Sequence, residues 1–289
     1  MNNKQRKEFY DFYMSDDITN INKIIKSFPS SLIKFCNGSY INDQNYYLDA
    51  LRKQKLWFSS PRYFNDPFDC VANINFEDVL YNNLQKTFYQ ICEENLADKL
   101  INLEEFIGYR DWIIKRKSKI YAENIQKLID SMFICCFSEP YNLASLRMWG
   151  HYANSHKGFC LEYDTKDICK MFNSFEIMPI LYNNEYSFTI PKDNKYDIRK
   201  FQMELIYTKA YEWNYEKEWR LCIYNTDKMG VSGFLSPFTV PKSVFLGCKI
   251  ENRLKKDLLE ICFQMKITPY EVYMIPNTYK LNCRKIDMN

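Results

Sequence analysis

Two hydrophobic periods divide the chain, one of three to four residues and one of two. Residues 1–30 read as a helical lead-in, with Ile21, Ile24, Ile25 and Phe28 at helical spacing. SLIKFC (31–36) is a short apolar strand, NYYLDALRKQK (45–55) a helix with Tyr47, Leu48 and Leu51 on one side, and LWFSS (56–60) a strand again. PRYFNDPFDC (61–70) reads as a loop, because Pro61 and Pro67 break regular structure and Asn65 and Asp66 favour turns. Leu80, Leu84 and Phe88, then Tyr121, Ile125 and Leu128, predict a helical block over 76–130. SMFICCFS (131–138) is an unbroken apolar run, as expected of a strand covered on both faces. YNLASLRMWGHYAN (141–154) reads as a helix with Asn142 as N-cap, and GFCLEYD (158–164) as an alternating strand. Helices are predicted at 165–175, 196–210 and 251–265, and strands at 214–224, 242–250, 271–276 and 279–286. Strands and helices interleave, yet consecutive strands close the chain, which favours α+β: a lead-in at 1–30, then one domain over 31–289 in which 76–130 is an insertion.

The stretch NYEKEWRLCIY (214–224) is the most informative. As a strand it puts Glu216, Glu218, Arg220, Cys222 and Tyr224 on one face, and Lys217, Trp219, Leu221 and Ile223 on the other. Two carboxylates two residues apart on a strand lie about 7 Å from each other and repel unless something answers them. A solvated face with Arg220 as partner would do so. So would a site for sugar-like chemistry, where paired carboxylates stabilise an oxocarbenium-like transition state and move a proton.

Other candidates are less sharply marked. RMWGHYANSHKG (147–158) holds both histidines of the chain, and its Trp149 and Tyr152 share a helix face. They form a packing stripe or a platform for a base or nicotinamide ring. Asn65 and Asp66 form a structural turn or present polar groups to a ligand. Ser138 closes the apolar strand, a strand end or a catalytic hydroxyl.

Composition narrows the classes. The net charge of +3 does not call for a nucleic acid or an anionic membrane as partner. Eleven scattered cysteines without a C-x-x-C pair, and only two histidines, leave no zinc-site spacing. No metal is expected. The chain has no run near the roughly 20 apolar residues of a membrane span, and the polar N-terminus is unlike a signal peptide. A reducing, cytoplasmic setting with buried thiols is expected, and no membrane partner. Phosphate-loop, dinucleotide-fold and G-x-S-x-G motifs do not occur.

Taken in order, LWFSSPRYFNDPFD, CFSEPYNLASLRMWGHYANSHKGFCLEYD and NYEKEWRLCIY resemble a large bacterial family, domain of unknown function 2971, from about Leu32 to the C-terminus. The motif order is also similar to that of ADP-ribosyltransferases of the diphtheria-toxin, PARP and DarT type. That resemblance implies a split mixed β-sheet and NAD as substrate. Lys34 stands where those enzymes carry His or Arg, and would donate to a ribose or phosphate oxygen. Ser138 matches the middle motif. Glu218 matches the catalytic glutamate, Glu216 the acceptor-activating one, and Arg220 orients the pair. Asn65, Asp66, Trp149 and Tyr152 complete the expected cofactor-binding set. The resemblance further implies an unknown macromolecular acceptor, and an antitoxin or defence partner if the protein is a toxin or phage-defence effector. A non-catalytic ligand-sensing or protein-interaction domain, and an RNA-targeting toxin, stay open as alternatives.

Overall fold

The computed structural model describes residues 1–14, 27–70, 103–172, 176–184 and 198–287, with Glu77 and Leu80. The expected positions Ile21, Ile24, Ile25, Leu84 and Phe88 lie outside the described residues. The chain opens with helix α1 (Asn3–Met14), strand β1 (Ser31–Cys36), helix α2 (Tyr46–Arg52) and strand β2 (Lys55–Ser59). Helix α3 (Leu103–Ser131) leads directly into β3 (Met132–Ser138), and α4 (Leu146–Tyr152) precedes β4 (Phe159–Asp164). Next come α5 (Thr165–Met171), β5 (Ile177–Pro179), β6 (Leu181–Asn183), α6 (Ile198–Tyr207) and β7 (Thr208–Ala210). Strands β8 (Glu218–Tyr224), β9 (Gly233–Pro237) and β10 (Ser243–Leu246) follow, then α7 (Asn252–Met265), β11 (Thr268–Met274) and β12 (Leu281–Lys285).

The architecture is α+β around a mixed sheet. β3 is its hinge. One edge of β3 pairs with β8 along the full length, from Met132↔Tyr224 to Ser138↔Glu218. The other edge touches β1 only at Ile33↔Ser138 and β2 only at Ser59↔Ile134. From β1 the sheet continues through β4, β10, β11 and β12; from β2 it continues to β9, and from β8 to β5. Pairing in this sheet is antiparallel except between β10 and β11, and β6 and β7 form a separate parallel pair. β1 and β2 therefore part over β3, and they leave a gap between these two contacts, alongside Cys136.

Local chemistry explains where the elements begin. Asn45 caps α2 by accepting from the N–H groups of Tyr47 and Leu48, both at 3.1 Å. The expected cap at Asn142 is corrected. Residues Pro140–Ala144 form a 3₁₀ turn, and Ser145 caps the shorter α4 by accepting from Met148. The strand expected over 214–224 is corrected too. Tyr211–Glu216 is a 3₁₀ turn closed by Lys217 in the left-handed region at φ 48°, and β8 starts only at Glu218. Strands β5, β6, β7 and β9 have no counterpart in the periodicity; the first three have three residues each, too few for alternation to register.

The core lies on the far face of the sheet. Trp219 and Leu221 of β8 are fully buried there, and Trp219 packs edge-on against Phe9 of α1 at 5.8 Å between ring centres. A smaller cluster sits under β1 and β4, where Trp149 packs edge-on against Phe35 at 5.2 Å. Gly158, in the HKG stretch, is required by space: a Cβ there would run into the main-chain oxygens of Cys36 and Asn37, the latter at 2.7 Å.

Candidate functional site

A cavity of about 520 Å³ opens at the gap between β1 and β2. β1 contributes Lys34, β3 contributes Cys136 and Ser138, and β8 contributes Glu218 and Arg220. Tyr47, Tyr63, Phe64 and Tyr152 give it aromatic walls. Ile33, Ser138 and Glu218 lie in one row across β1, β3 and β8, so the three stretches are brought together by strand register.

The floor is a network of buried charges. Arg220 is fully buried and forks onto Asp69, with Nη1 to Oδ1 at 2.7 Å and Nη2 to Oδ2 at 2.5 Å. Its Nε donates to Glu218 Oε1 at 2.7 Å and its Nη1 to the Ile206 carbonyl at 2.7 Å. Lys209, on β7, puts its ammonium among three carboxylates: Glu216 at 2.8 Å, Glu218 at 3.3 Å and Asp69 at 3.4 Å. The Tyr152 hydroxyl donates to Glu216 Oε1. Three carboxylates thus meet two cations, and the cluster carries one net negative charge when all are ionised.

That surplus sets the protonation states. Burial pushes the Glu216 carboxyl up, the charge of Glu218 adds to this, and Lys209 pulls back, leaving it at about 7. Burial works against an ionised Glu218 as well, but Arg220 and Lys209 outweigh it and hold that carboxyl well below its ordinary value. Burial likewise opposes the charge on Lys209, and Glu218, Asp69 and Glu216 more than restore it. Burial and the neighbouring Glu216 raise Tyr152, so it remains a neutral donor. The two glutamates therefore differ: Glu218 is a fixed anion, and Glu216 exchanges a proton near neutrality.

Each sequence candidate now has a place. Glu216, Glu218, Ser138, Lys34, Asn65, Tyr152 and Arg220 all line the cavity. Glu216 arrives from the turn rather than from the strand, because left-handed Lys217 swings it back toward Lys209. Lys34 Nζ donates to the Cys136 carbonyl at 3.2 Å, and no ion pair to it is found among the described residues. The Ser138 hydroxyl is committed to the Glu216 carbonyl. Asn142 donates to Ser138 Oγ and Glu216 O, both at 2.6 Å, and to Tyr215 O at 3.0 Å, so it holds the turn instead of capping a helix. Two candidates fall away from the cavity. Trp149 is fully buried, its indole N–H given to the Leu143 carbonyl at 2.8 Å, so it offers no face to a ligand. Asp66 turns into its own loop, accepting from the Phe68 N–H at 2.9 Å.

Asp69 and Lys209 escaped the sequence reading. Asp69 sits in the FNDPFD stretch, where the turn-forming Asp66 drew attention first. Lys209 stands seven residues before Glu216, across a turn that no simple period describes. A lone lysine two residues after the apolar helix end LIY was its only signal.

Among the described residues no helix is long and apolar enough to cross a membrane, and no group of three His, Cys, Asp or Glu side chains is arranged to hold a metal ion. The buried Cys36, Cys70, Cys135, Cys160, Cys222 and Cys262 are free thiols. Fold and site together define an α+β protein with an aromatic-walled cavity over a buried carboxylate–cation floor. Compared with known protein families, residues 148–221 are similar to the model of DUF2971, a protein of unknown function. No curated protein and no solved structure matches the chain.

Proposed function

We propose that the protein cleaves the nicotinamide–ribose bond of NAD and transfers the ADP-ribosyl group to a macromolecule or to water. The observation that carries this reading is the pair of unlike carboxylates on one cavity floor, one held ionised and one poised near pH 7. Neighbouring carboxylates driven apart in proton affinity are the usual sign of divided acid–base and electrostatic roles. The row of Ile33, Ser138 and Glu218 across three strands supports the finer fold reading, a split sheet of the ADP-ribosyltransferase type. The cavity volume lies within the range of roughly 300–1,000 Å³ usual for small-ligand sites.

In this mechanism the C1′–N bond breaks with its electron pair going to nicotinamide. The positive charge left on the ribose faces the net negative floor, with Glu218 as its permanent anion. Glu216 takes the proton from the incoming hydroxyl or amine as the new bond to C1′ forms. Lys34, with no carboxylate partner among the described residues, faces a phosphate oxygen. Tyr47, Tyr63 and Phe64 offer faces for ring stacking.

The test is incubation with NAD carrying label in its adenylate half, with and without cell extract. Nicotinamide release or labelled macromolecule is expected, falling by about 100-fold or more in Glu218→Gln. Neither product from the wild-type chain over pH 6–8 would sink the reading. One observation favours a second reading, a non-catalytic ligand sensor: both Glu218 oxygens already contact Arg220 or Lys209. NAD that raises the thermal midpoint without being consumed would decide for it.

A further inference from the structure

Helix α1 belongs to none of the motifs, yet it reaches the backbone of the site. Arg6 is 1% exposed. Its Nη1 donates to the Glu218 carbonyl at 2.8 Å and the Ile180 carbonyl at 3.0 Å, and its Nη2 to Glu139 Oε1 at 2.5 Å. Asn3, one turn earlier, pairs twice with the backbone of Tyr182, donating to its oxygen at 2.8 Å and accepting from its N–H at 3.2 Å. The Tyr182 hydroxyl in turn accepts from the Glu218 N–H at 2.8 Å. Both polar groups of the Glu218 main chain are thus tied to α1, the carbonyl directly and the N–H through Tyr182.

Adhesion alone does not call for this arrangement. Phe9 already packs α1 onto Trp219, and burying a guanidinium is costly unless its hydrogen bonds are needed. Glu218 is the first residue of β8, directly after left-handed Lys217, and besides Arg6 its carbonyl accepts only from the Ile180 N–H, at 3.0 Å, among the described residues. We propose that Arg6 is a positioning residue for Glu218, fixing the start of β8 so that the Glu218 carboxylate stays between Arg220 and Lys209. Its catalytic meaning rests on the NAD reading above; its geometric content does not.

Loosening the clamp lets the Glu218 carboxylate drift. Its repulsion of Glu216 then weakens, and Lys209 turns more fully to Glu216, with Tyr152 still donating and Asp69 beyond the ammonium. Both changes ease ionisation of Glu216. Arg6→Lys keeps the charge beside Glu139 but lacks the fork that spans two carbonyls and a carboxylate. Asn3→Ala, at a partly exposed position, is the milder variant and serves if Arg6→Lys does not fold. In the full-length chain, amide exchange at Glu218 is expected to accelerate at least tenfold by ¹H–¹⁵N NMR, against less than twofold at Leu161 on β4. The Glu216 carboxyl midpoint, read by ¹³C NMR, is expected to fall. Equal acceleration at Glu218 and Leu161, or an unmoved Glu216 midpoint, overturns the proposal. Neither readout needs turnover, so an inactive wild type refutes the NAD reading and leaves the clamp to be judged on its own. Turnover with a wild-type pH profile in both variants refutes the clamp alone.

Discussion

Glu216 makes a quantitative prediction about stability and pH. An ordinary glutamate titrates near 4.5, and in the folded protein this one titrates at about 7. A carboxyl whose pKa is raised on folding binds more protons in the native state between those values, so stability falls as pH rises through that window. That rise corresponds to about 3 kcal/mol over the full window. Between pH 5.5 and pH 8 this one group removes about 2 kcal/mol. Glu216→Gln keeps the shape and abolishes the titration. Urea unfolding of both proteins at several pH values isolates the term, since every other titrating group is common to the two. The stability advantage of Glu216→Gln over wild type should grow by about 2 kcal/mol from pH 5.5 to pH 8. Parallel pH curves would refute the claim that the floor is one cation short. Glu218 acts with the opposite sign: its depressed pKa gives stability present above the ordinary carboxylate range and lost as pH falls below it. Together they place the contribution of this cluster at its best near pH 4.5, the ordinary glutamate value, with losses on either side.

Three further outcomes follow from the same contacts. Arg220→Met leaves Asp69 and Glu218 with Lys209 as their shared cation and should cost about 3–5 kcal/mol, read as a lowered urea midpoint; an unchanged midpoint would show that the network is not formed. Asn142→Ala removes the amide that ties Ser138 to the 211–216 turn, and a loss of about 2 kcal/mol in thermal or urea unfolding is expected, with Glu216 freed to titrate closer to its ordinary range. Gly158→Ala forces a methyl against the Cys36 and Asn37 carbonyls and should destabilise by about 1–3 kcal/mol, whereas Gly150→Ala, in open space on helix α4, should be neutral or slightly stabilising in the same assay.

Much of the fold was legible because it obeys one period or the other. SLIKFC, MFICCFS and FCLEYD are strands with nearly the boundaries their apolar patterns indicate, and Asn45 caps its helix as a residue of that type should. The reading failed where one residue broke the period. Lys217 in the left-handed region ends the alternation assumed for NYEKEWRLCIY, and a local pattern cannot reveal the sign of φ at a residue other than glycine. Asn142 has the right chemistry for a cap, but three acceptors from the 138 and 215–216 segments compete for its amide and win.

By itself, the sequence determined the chemical inventory. It marked two glutamates beside an arginine as out of place next to a buried strand, a serine at the end of an apolar one, and aromatic residues around both. Only the tertiary structure decided their partners. Lys209 and Asp69 are distant in the chain from much of what they bind, and their contacts depend on β7 and the 61–70 loop closing over the same end of the sheet. It also decided which aromatic is available, sending Trp149 into the core and Tyr152 to Glu216. The physical reason is that periodicity reports which face of an element is dry, whereas a carboxylate's proton affinity depends on every charge within a few ångströms, wherever in the chain it comes from.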